Sequence, residues 1–375
     1  MNAQRSLTHI PPRHQARSPY MEWSKLHSAA KFNLATSGIA NFPLAELGVT
    51  IDQLEINGAS IYGYDPLLKA IAQRYRVPQA CVVSAIGTSM ANYLALAATT
   101  EPGDEILVES PAYEPMVSAA RYLGLRIGHF QRPAEKNFAI DLDDLARQLT
   151  PRTRVIVITN LHNPTGALTP ESTLREIAAM SVDIGAMILV DEVYREMLFE
   201  SRPQSAFHLD PERFIITNSL TKAYGLSGLR CGWLLAPPAV AERMWHINDL
   251  HGATFAHPAE LLSVIAFEKL AQISAKAKAM LDNNRRMLKE CLATHEDTLE
   301  YFWPEYGTVV FPRLRKGSVE DLCELLRKDF ETTVVPGRFF DAPDRIRIGV
   351  GTSTESVRDA LVQFGKGLDA WRRSN

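Results

Sequence analysis

Four cysteines in 375 residues, none within a Cys-x-x-Cys pair, leave this chain without a disulfide framework or a cysteine zinc site. Cys81, Cys231, Cys291 and Cys323 stand far apart and suit buried thiols in a reducing compartment. A cytoplasmic location is therefore the expectation. Charge of one sign is equally scarce. With 40 basic against 43 acidic residues the net charge is −3, which gives no footprint for nucleic acid and no polybasic membrane signal. No apolar run reaches the ~18 residues needed to cross a bilayer. The first twenty residues carry Arg5, Arg13 and Arg17, no acid and no apolar secretory core, and read as an arm. No Gly-x-Gly-x-x-Gly follows a strand, which argues against a nicotinamide dehydrogenase. Gly225-Leu226-Ser227-Gly228 lacks the spacing of a hydrolase nucleophile elbow.

Apolar residue types, in contrast, are ample. Hydrophobic content is 46% and charged content 22%, enough for a sizeable core in a chain long enough for two or more domains. Strand-like runs alternate with helical patterns. Ala80 to Ile86 is followed by Gly87-Thr88-Ser89 and a helical pattern from Met90 to Thr99. Strands are expected at Glu105 to Val108, Arg154 to Thr159, Ala186 to Val190, Phe214 to Thr217 and Cys231 to Leu235. A helix is expected over Pro170 to Ile184, with Thr169 as N-cap. Continuous apolar strands alternating with helices predict an α/β fold with a mainly parallel sheet covered on both faces. Further on, Pro258 to Ile273 and Ala277 to Leu292 read as long helices, and Trp303 to Leu314 as a strand. Val319 to Lys328 reads as a helix capped by Ser318, Arg345 to Val350 as a strand and Thr354 to Trp371 as a final helix. This tail suits a smaller α+β domain.

In such sheets ligands bind beyond the carboxyl ends of the strands. Four polar sequences stand there: Gly87-Thr88-Ser89, Asn163-Pro164-Thr165-Gly166, Asp191 to Tyr194, and Ser219 to Lys222. Lys222 is flanked by hydroxyls, and Arg230 follows it by eight residues. Hydroxyls, a guanidinium and free backbone N–H groups suit a phosphate. An amine beside them suits an aldehyde that forms a Schiff base. A phosphorylated aldehyde, pyridoxal phosphate, meets both demands; a surface lysine in a polar loop is the alternative. Gly87-Thr88-Ser89 reads either as an ordinary capped turn or as a phosphate cradle at a helix N-terminus. Asp191 ends a buried strand, where a carboxylate is costly without a partner, and a protonated pyridine nitrogen would be one. Asn163 and Tyr194 can hydrogen-bond a phenolic ring oxygen, and Tyr113 can stack on the ring. His162 reads as a packing residue rather than a catalyst. Arg345 and Arg347 share a strand face, and spacing does not choose between them as a carboxylate fork.

Together these residues resemble the class I/II aminotransferases of the fold-type-I pyridoxal-phosphate enzymes, which are aspartate aminotransferase-like. The resemblance runs from Gly63 to the Arg347 strand. It implies a seven-stranded-type sheet in a large domain, 41–280, and a small domain from 1–40 and 281–375. It implies that Lys222 holds the cofactor as a Schiff base and moves the proton from the substrate α-carbon. Asp191 would pair with the ring nitrogen; Asn163 and Tyr194 would hold the ring oxygen and Tyr113 would stack. Thr88, Ser89, Ser219 and Arg230 would hold the phosphate, with Thr221 beside them. Arg347, helped by the backbone at Gly38, would bind the α-carboxylate. The family transfers an amino group between an L-amino acid and a 2-oxo acid, as a homodimer without a catalytic metal. A lyase, synthase or oxidase of the same fold is the alternative. Two departures stand out: Leu161 replaces a common proline, and Asn57-Gly58-Ala59-Ser60-Ile61 lacks the tyrosine that usually reaches the partner's phosphate. The resemblance and the two strand-end loops together predict cis peptides at Ser110–Pro111 and Asn163–Pro164.

Overall fold

A computed structural model describes residues 17–199 and 204–374. The arm expected over the first twenty residues lies outside the described residues up to position 16. Seven strands form the main sheet: β1 (Val82–Ile86), β2 (Glu105–Ser110), β3 (Arg126–Gln131), β4 (Thr153–Thr159), β5 (Met187–Asp191), β6 (Phe214–Ser219) and β7 (Cys231–Leu235). Their order across the sheet is β1-β7-β6-β5-β4-β2-β3. Only β7 runs against the others, pairing antiparallel with both β1 and β6. The α/β reading with a mainly parallel sheet therefore holds. β3, Arg-Ile-Gly-His-Phe-Gln, was not legible: it is an edge strand with polar residues and no continuous apolar run.

The central strands are apolar because both faces are covered. On one face Val83, Leu94, Ile106, Val157, Leu189 and Ile215 form one core. On the other, Leu107, Ile156, Ile188, Val190 and Ile216 join a larger core that reaches the C-terminal helices. A buried Leu, Ile or Val contributes roughly 1.5–3 kcal/mol. The helix Gly87–Thr99 is rich in alanine, which lets it lie close over β6, β7 and β1. Gly87 begins it at φ +74°, a conformation that favours glycine.

The carboxyl ends of the parallel strands lie side by side. Thr159 is level with Asp191, and Asp191 with Thr217. Beyond this sheet, Phe32–Asn33 pairs parallel with Thr332–Thr333, joining residues from near the two chain ends. A three-stranded sheet places Ile346–Gly349 between Val309–Val310 and Val335–Pro336. The helix Pro19–Leu26 packs on the helix Glu114–Tyr122.

Several sequence expectations need correction. Trp303 to Leu314 is not one strand. It contains only Val309–Val310 and Arg313–Leu314, which pair with different partners, because Pro304 and Pro312 lack the N–H that a continuous ladder requires. Thr169 does not cap a helix; the helix is Glu171–Ser181, Pro170 holds the N-cap position, and Thr169 Oγ1 accepts from Arg132 Nη2 at 2.6 Å. The break between the two long helices falls at Lys269, whose amine donates to Leu47 O. Ser110–Pro111 is cis as expected, whereas Asn163–Pro164 is trans; among the described residues a second cis bond lies between Asn160 and Leu161.

Gly232 on β7 touches the start of the Gly87 helix so closely that an added Cβ would lie 2.5 Å from Gly87 C. Gly232→Ala should therefore destabilise the protein by about 1–3 kcal/mol in urea titrations. Gly228→Ala, which meets nothing within 4 Å, should change stability by less than ~0.5 kcal/mol.

Candidate active site

A cavity of about 200 Å³ opens at the carboxyl ends of β1, β2, β4, β5 and β6. The structure brings Thr88, Ser89, Tyr113, Asn163, Asp191, Tyr194, Ser219, Thr221, Lys222 and Arg230 together around it. Gly38 and Arg347 lie behind that wall. Gly38 sits against Lys222: a Cβ there would be 3.3 Å from Lys222 Cδ, and the next residue, Ile39, donates its N–H to Lys222 O at 2.8 Å.

Each wall residue is fixed by its element. Lys222 follows β6 in an irregular loop, and its amine donates to Ser37 Oγ at 3.2 Å. Burial is the main cause that lowers its pKa, and the positive charges of Arg347 and Arg230 push the same way. A lowered pKa keeps more of the amine neutral, the form that attacks an aldehyde. Tyr194 donates to the same Ser37 Oγ at 2.8 Å. Asp191 ends β5, buried. Its Oδ2 accepts from Asn92 Nδ2 at 2.9 Å and its Oδ1 from Val193 N–H at 3.0 Å. Despite these bonds, burial pushes its pKa up to about 6. Asn92 is itself oriented by Thr217, whose hydroxyl donates to Asn92 Oδ1 at 2.6 Å.

The Asn160–Gly166 loop is set by a buried polar network. Glu109 on β2 accepts the N–H and the hydroxyl of Thr159, each at 2.6 Å, and Arg132 Nε at 2.7 Å. Burial raises the Glu109 pKa, against the pull of Arg132 and Thr159. Thr159 Oγ1 in turn accepts the Asn163 N–H at 3.0 Å. Asn163 Oδ1 accepts from Arg347 Nη1 at 2.9 Å, which leaves the Asn163 amide NH₂ as its free donor set. His162 bridges Thr165 Oγ1 at 2.6 Å and Pro111 O at 2.9 Å. Pro111 O can only accept, so Nε2 carries a hydrogen, and in the neutral ring Nδ1 accepts from the threonine hydroxyl. Burial lowers the His162 pKa well below its ordinary value, consistent with a packing role.

Arg345 and Arg347 part company in the fold. Arg345 donates to Phe311 O at 3.1 Å and lies over the Phe138 ring. Arg347 is fully buried and directed at the cavity wall, where it meets Asn163 and Tyr20. Ser37 and Asn92 were not singled out from sequence. Asn92 could have been noticed as an amide inside an Ala/Leu helix; nothing local marks Ser37.

The cavity suits a phosphorylated pyridine aldehyde. Thr88 Oγ1 is buried without a partner, and the Arg230 guanidinium crosses Gly87 so tightly that a Cβ there would lie 2.3 Å from Nη2. A phosphate beside the helix start would satisfy both groups. Asp191, a buried carboxylate held only by neutral donors, would gain the cation it lacks from a protonated ring nitrogen.

The family model of the class I and II aminotransferases matches residues 51–364. The chain belongs to that family. This aminotransferase-family protein is 30% identical over 368 residues to capreomycidine synthase of Streptomyces vinaceus, covering 95% of each chain. It is 26% identical to the aspartate/prephenate aminotransferase of Thermus thermophilus over 82% of each. Among solved structures, a PLP-dependent aminotransferase from Streptococcus suis superposes with a TM-score of 0.88 at 26% identity, over 94% of this chain and 98% of that one. The PLP-dependent cyclase OrfR superposes with 0.85 at 25% identity over 100% of both chains. The family's cofactor is pyridoxal 5′-phosphate, in keeping with the fit of the cavity. No helix among the described residues is long and apolar enough to cross a membrane, and no cluster of metal-binding side chains occurs among them.

The raised Asp191 pKa makes the apoprotein pH-sensitive. A carboxyl whose folded pKa lies above its unfolded value of 3.8 favours folding below pH 4 and loses that contribution as pH rises through about 6. Relative to Asp191→Asn, the wild-type apoprotein should lose up to ~3 kcal/mol of stability between pH 4 and pH 7.5. Urea titrations of both apoproteins at each pH measure this. A difference independent of pH would place the titration elsewhere.

Proposed function

We propose that this protein is a pyridoxal-phosphate-dependent aminotransferase, moving an amino group from an L-amino acid to a 2-oxo acid, with Lys222 carrying the cofactor. The observation that supports it best is the convergence of Lys222, Asp191 and Asn163 on one cavity, with Arg347 directly behind Asn163. When bound, the cofactor supplies an electron sink for negative charge at the substrate α-carbon. Lys222 Nζ would hold the cofactor's aldehyde, and as a partly neutral amine it is the base placed to move the proton at the substrate α-carbon. Asp191 would pair with the ring nitrogen and keep it protonated. The Asn163 amide and the Tyr194 hydroxyl, both on the cavity wall, would hold the ring oxygen, and Tyr113 would stack on the ring. Thr88, Ser89, Ser219, Thr221 and Arg230 would hold the phosphate. Arg347 binds the α-carboxylate, with the backbone at Gly38 alongside, and so aims the Cα–H bond at Lys222.

A second reading keeps these first steps and changes the outcome to a synthase or cyclase reaction. Two observations favour it: the likeness to capreomycidine synthase and to OrfR spans 95% and 100% of this chain, and the 57–61 run has no tyrosine. Holoenzyme mixed with a large molar excess of an L-amino acid and no acceptor separates the two. An aminotransferase releases 2-oxo acid up to the amount of enzyme and stops, with the cofactor left in its amine form. A synthase, cyclase or lyase keeps turning over.

The protein is further proposed to act as a homodimer. Ile51, Ile56, Ile61 and Leu250 are each more than 80% exposed, which supports a covered apolar face. The division into a large domain, 41–280, and a small one from 1–40 and 281–375 is supported by the main sheet lying within 82–235. The four free thiols support a reducing, cytoplasmic setting.

Borohydride reduction of holoenzyme followed by peptide mapping should label Lys222; a label on another lysine would refute the assignment. Arg347→Lys keeps the charge and loses the planar fork. It should lower kcat/KM roughly 10- to 100-fold for every accepted amino acid, while the cofactor's absorbance stays near that of wild type. An equal loss in Arg345→Lys would count against the role of Arg347.

A further inference from the structure

Arg347 is fully buried, and it is not part of the cavity wall although Tyr20 and Asn163 are. Its hydrogen bonds explain why. Nη1 donates to Asn163 Oδ1 at 2.9 Å, and Nη2 donates to both Tyr20 Oη at 2.9 Å and Ala35 O at 3.0 Å. Nε, also buried, has no partner. A guanidinium offers two bidentate faces, the Nη1/Nη2 end and the Nε/Nη2 side, and each uses one hydrogen of Nη2. Both of those hydrogens are committed. A carboxylate cannot engage Arg347 bidentately until one acceptor leaves. Ala35 O belongs to the backbone beside the Phe32–Asn33 strand, whereas Tyr20 Oη belongs to a side chain that faces the cavity.

We propose that Tyr20 is a specificity-determining residue that guards Arg347: its hydroxyl holds one prong of the guanidinium until a substrate α-carboxylate takes that prong and turns Tyr20 aside. The inference rests on the reading of Arg347 as the carboxylate site. The exchange is favourable because a hydrogen bond to a charged acceptor is roughly twice as strong as one to a neutral hydroxyl, and the unpartnered Nε–H supplies a second prong. An amine without an α-carboxylate cannot displace Tyr20 and meets a closed wall. Tyr20 is packed edge-on to Tyr113 and Phe339, at 5.9 and 5.8 Å between ring centroids. Its displacement must therefore disturb Trp23, which lies on the same helix at 6.5 Å from Tyr20 and 5.4 Å from Phe339.

The test uses holoenzyme and propionate, a carboxylate with no amine to react. Tyr20→Phe leaves an Arg347 hydrogen without its acceptor before binding, so propionate should bind roughly 5- to 100-fold more tightly than to wild type by calorimetry. In wild type, saturating propionate should change tryptophan emission, and that change should be missing in Trp23→Phe. Equal or weaker binding in Tyr20→Phe, or no emission change that depends on Trp23, would overturn the inference. Arg347→Lys separates it from its premise. If Arg347→Lys binds propionate as well as wild type, the carboxylate reading of Arg347 fails and takes this inference with it. If Arg347→Lys loses binding while Tyr20→Phe matches wild type, only the role of Tyr20 falls.

Discussion

A carboxylate at the end of a central buried strand, held by donors that carry no charge, is the constraint on which the rest of the site depends. Asp191 has Thr159 on one side and Thr217 on the other, and the helix that carries Asn92 above it. Asn92 and the Val193 N–H give each of its oxygens one donor but do not balance its charge. Burying such a group is costly, and the protein tolerates it where a cation can arrive. The lysine after β6, the threonine at the helix start and the arginine over Gly87 surround the place that a protonated ring would take. Their positions follow from the parallel sheet, which delivers the ends of neighbouring strands to one edge.

A second constraint is the continuous hydrogen-bonded path through the polar side of the site. Glu109 accepts from Thr159, Thr159 from Asn163, Asn163 from Arg347, and Arg347 also donates to Tyr20. This path links two strands of the main sheet, the Asn160–Gly166 loop, the Ile346–Gly349 strand and the Pro19–Leu26 helix. Buried polar networks of this kind favour one arrangement strongly, because an unpaired member in a low-dielectric interior costs about as much as the bond it loses. The residues that would face the ring and those that would face the substrate are thereby positioned by the same set of bonds.

Family membership and reaction are separate matters here. The lysine, the aspartate and the phosphate cradle proposed for this site would serve an aminotransferase and a synthase alike. The fate of the substrate once its α-proton has left depends on groups around the substrate side chain. The likeness to both aminotransferases and a synthase is therefore the outcome that shared machinery leads one to expect.

Much of the fold was legible because its signals are local. Buried parallel strands are short apolar runs, and β4, β5 and β6 stood out on that ground. The edge strand β3 has no such run, and Pro304 and Pro312 divided a segment that read as one strand. Ser318 was recognisable as a cap, and its side chain does accept the Asp321 N–H, at 3.3 Å. Thr169 was the same kind of signal, but a buried arginine claimed its hydroxyl. At the site, the sequence by itself determined which groups stand after strands: Lys222, Asp191, Asn163, Tyr194 and the Gly87-Thr88-Ser89 turn. It did so because strand, loop and helix patterns are written over about ten residues. Only the tertiary structure buried Arg347 against Asn163 while it set Arg345 on Phe311, brought Asn92 to Asp191 and Ser37 to Lys222, and set Tyr20 against Arg347. Those pairs are separated by up to 327 residues. No pattern in the chain encodes them locally; they exist because burial forces each polar group to find a partner wherever the packed sheet and helices bring one.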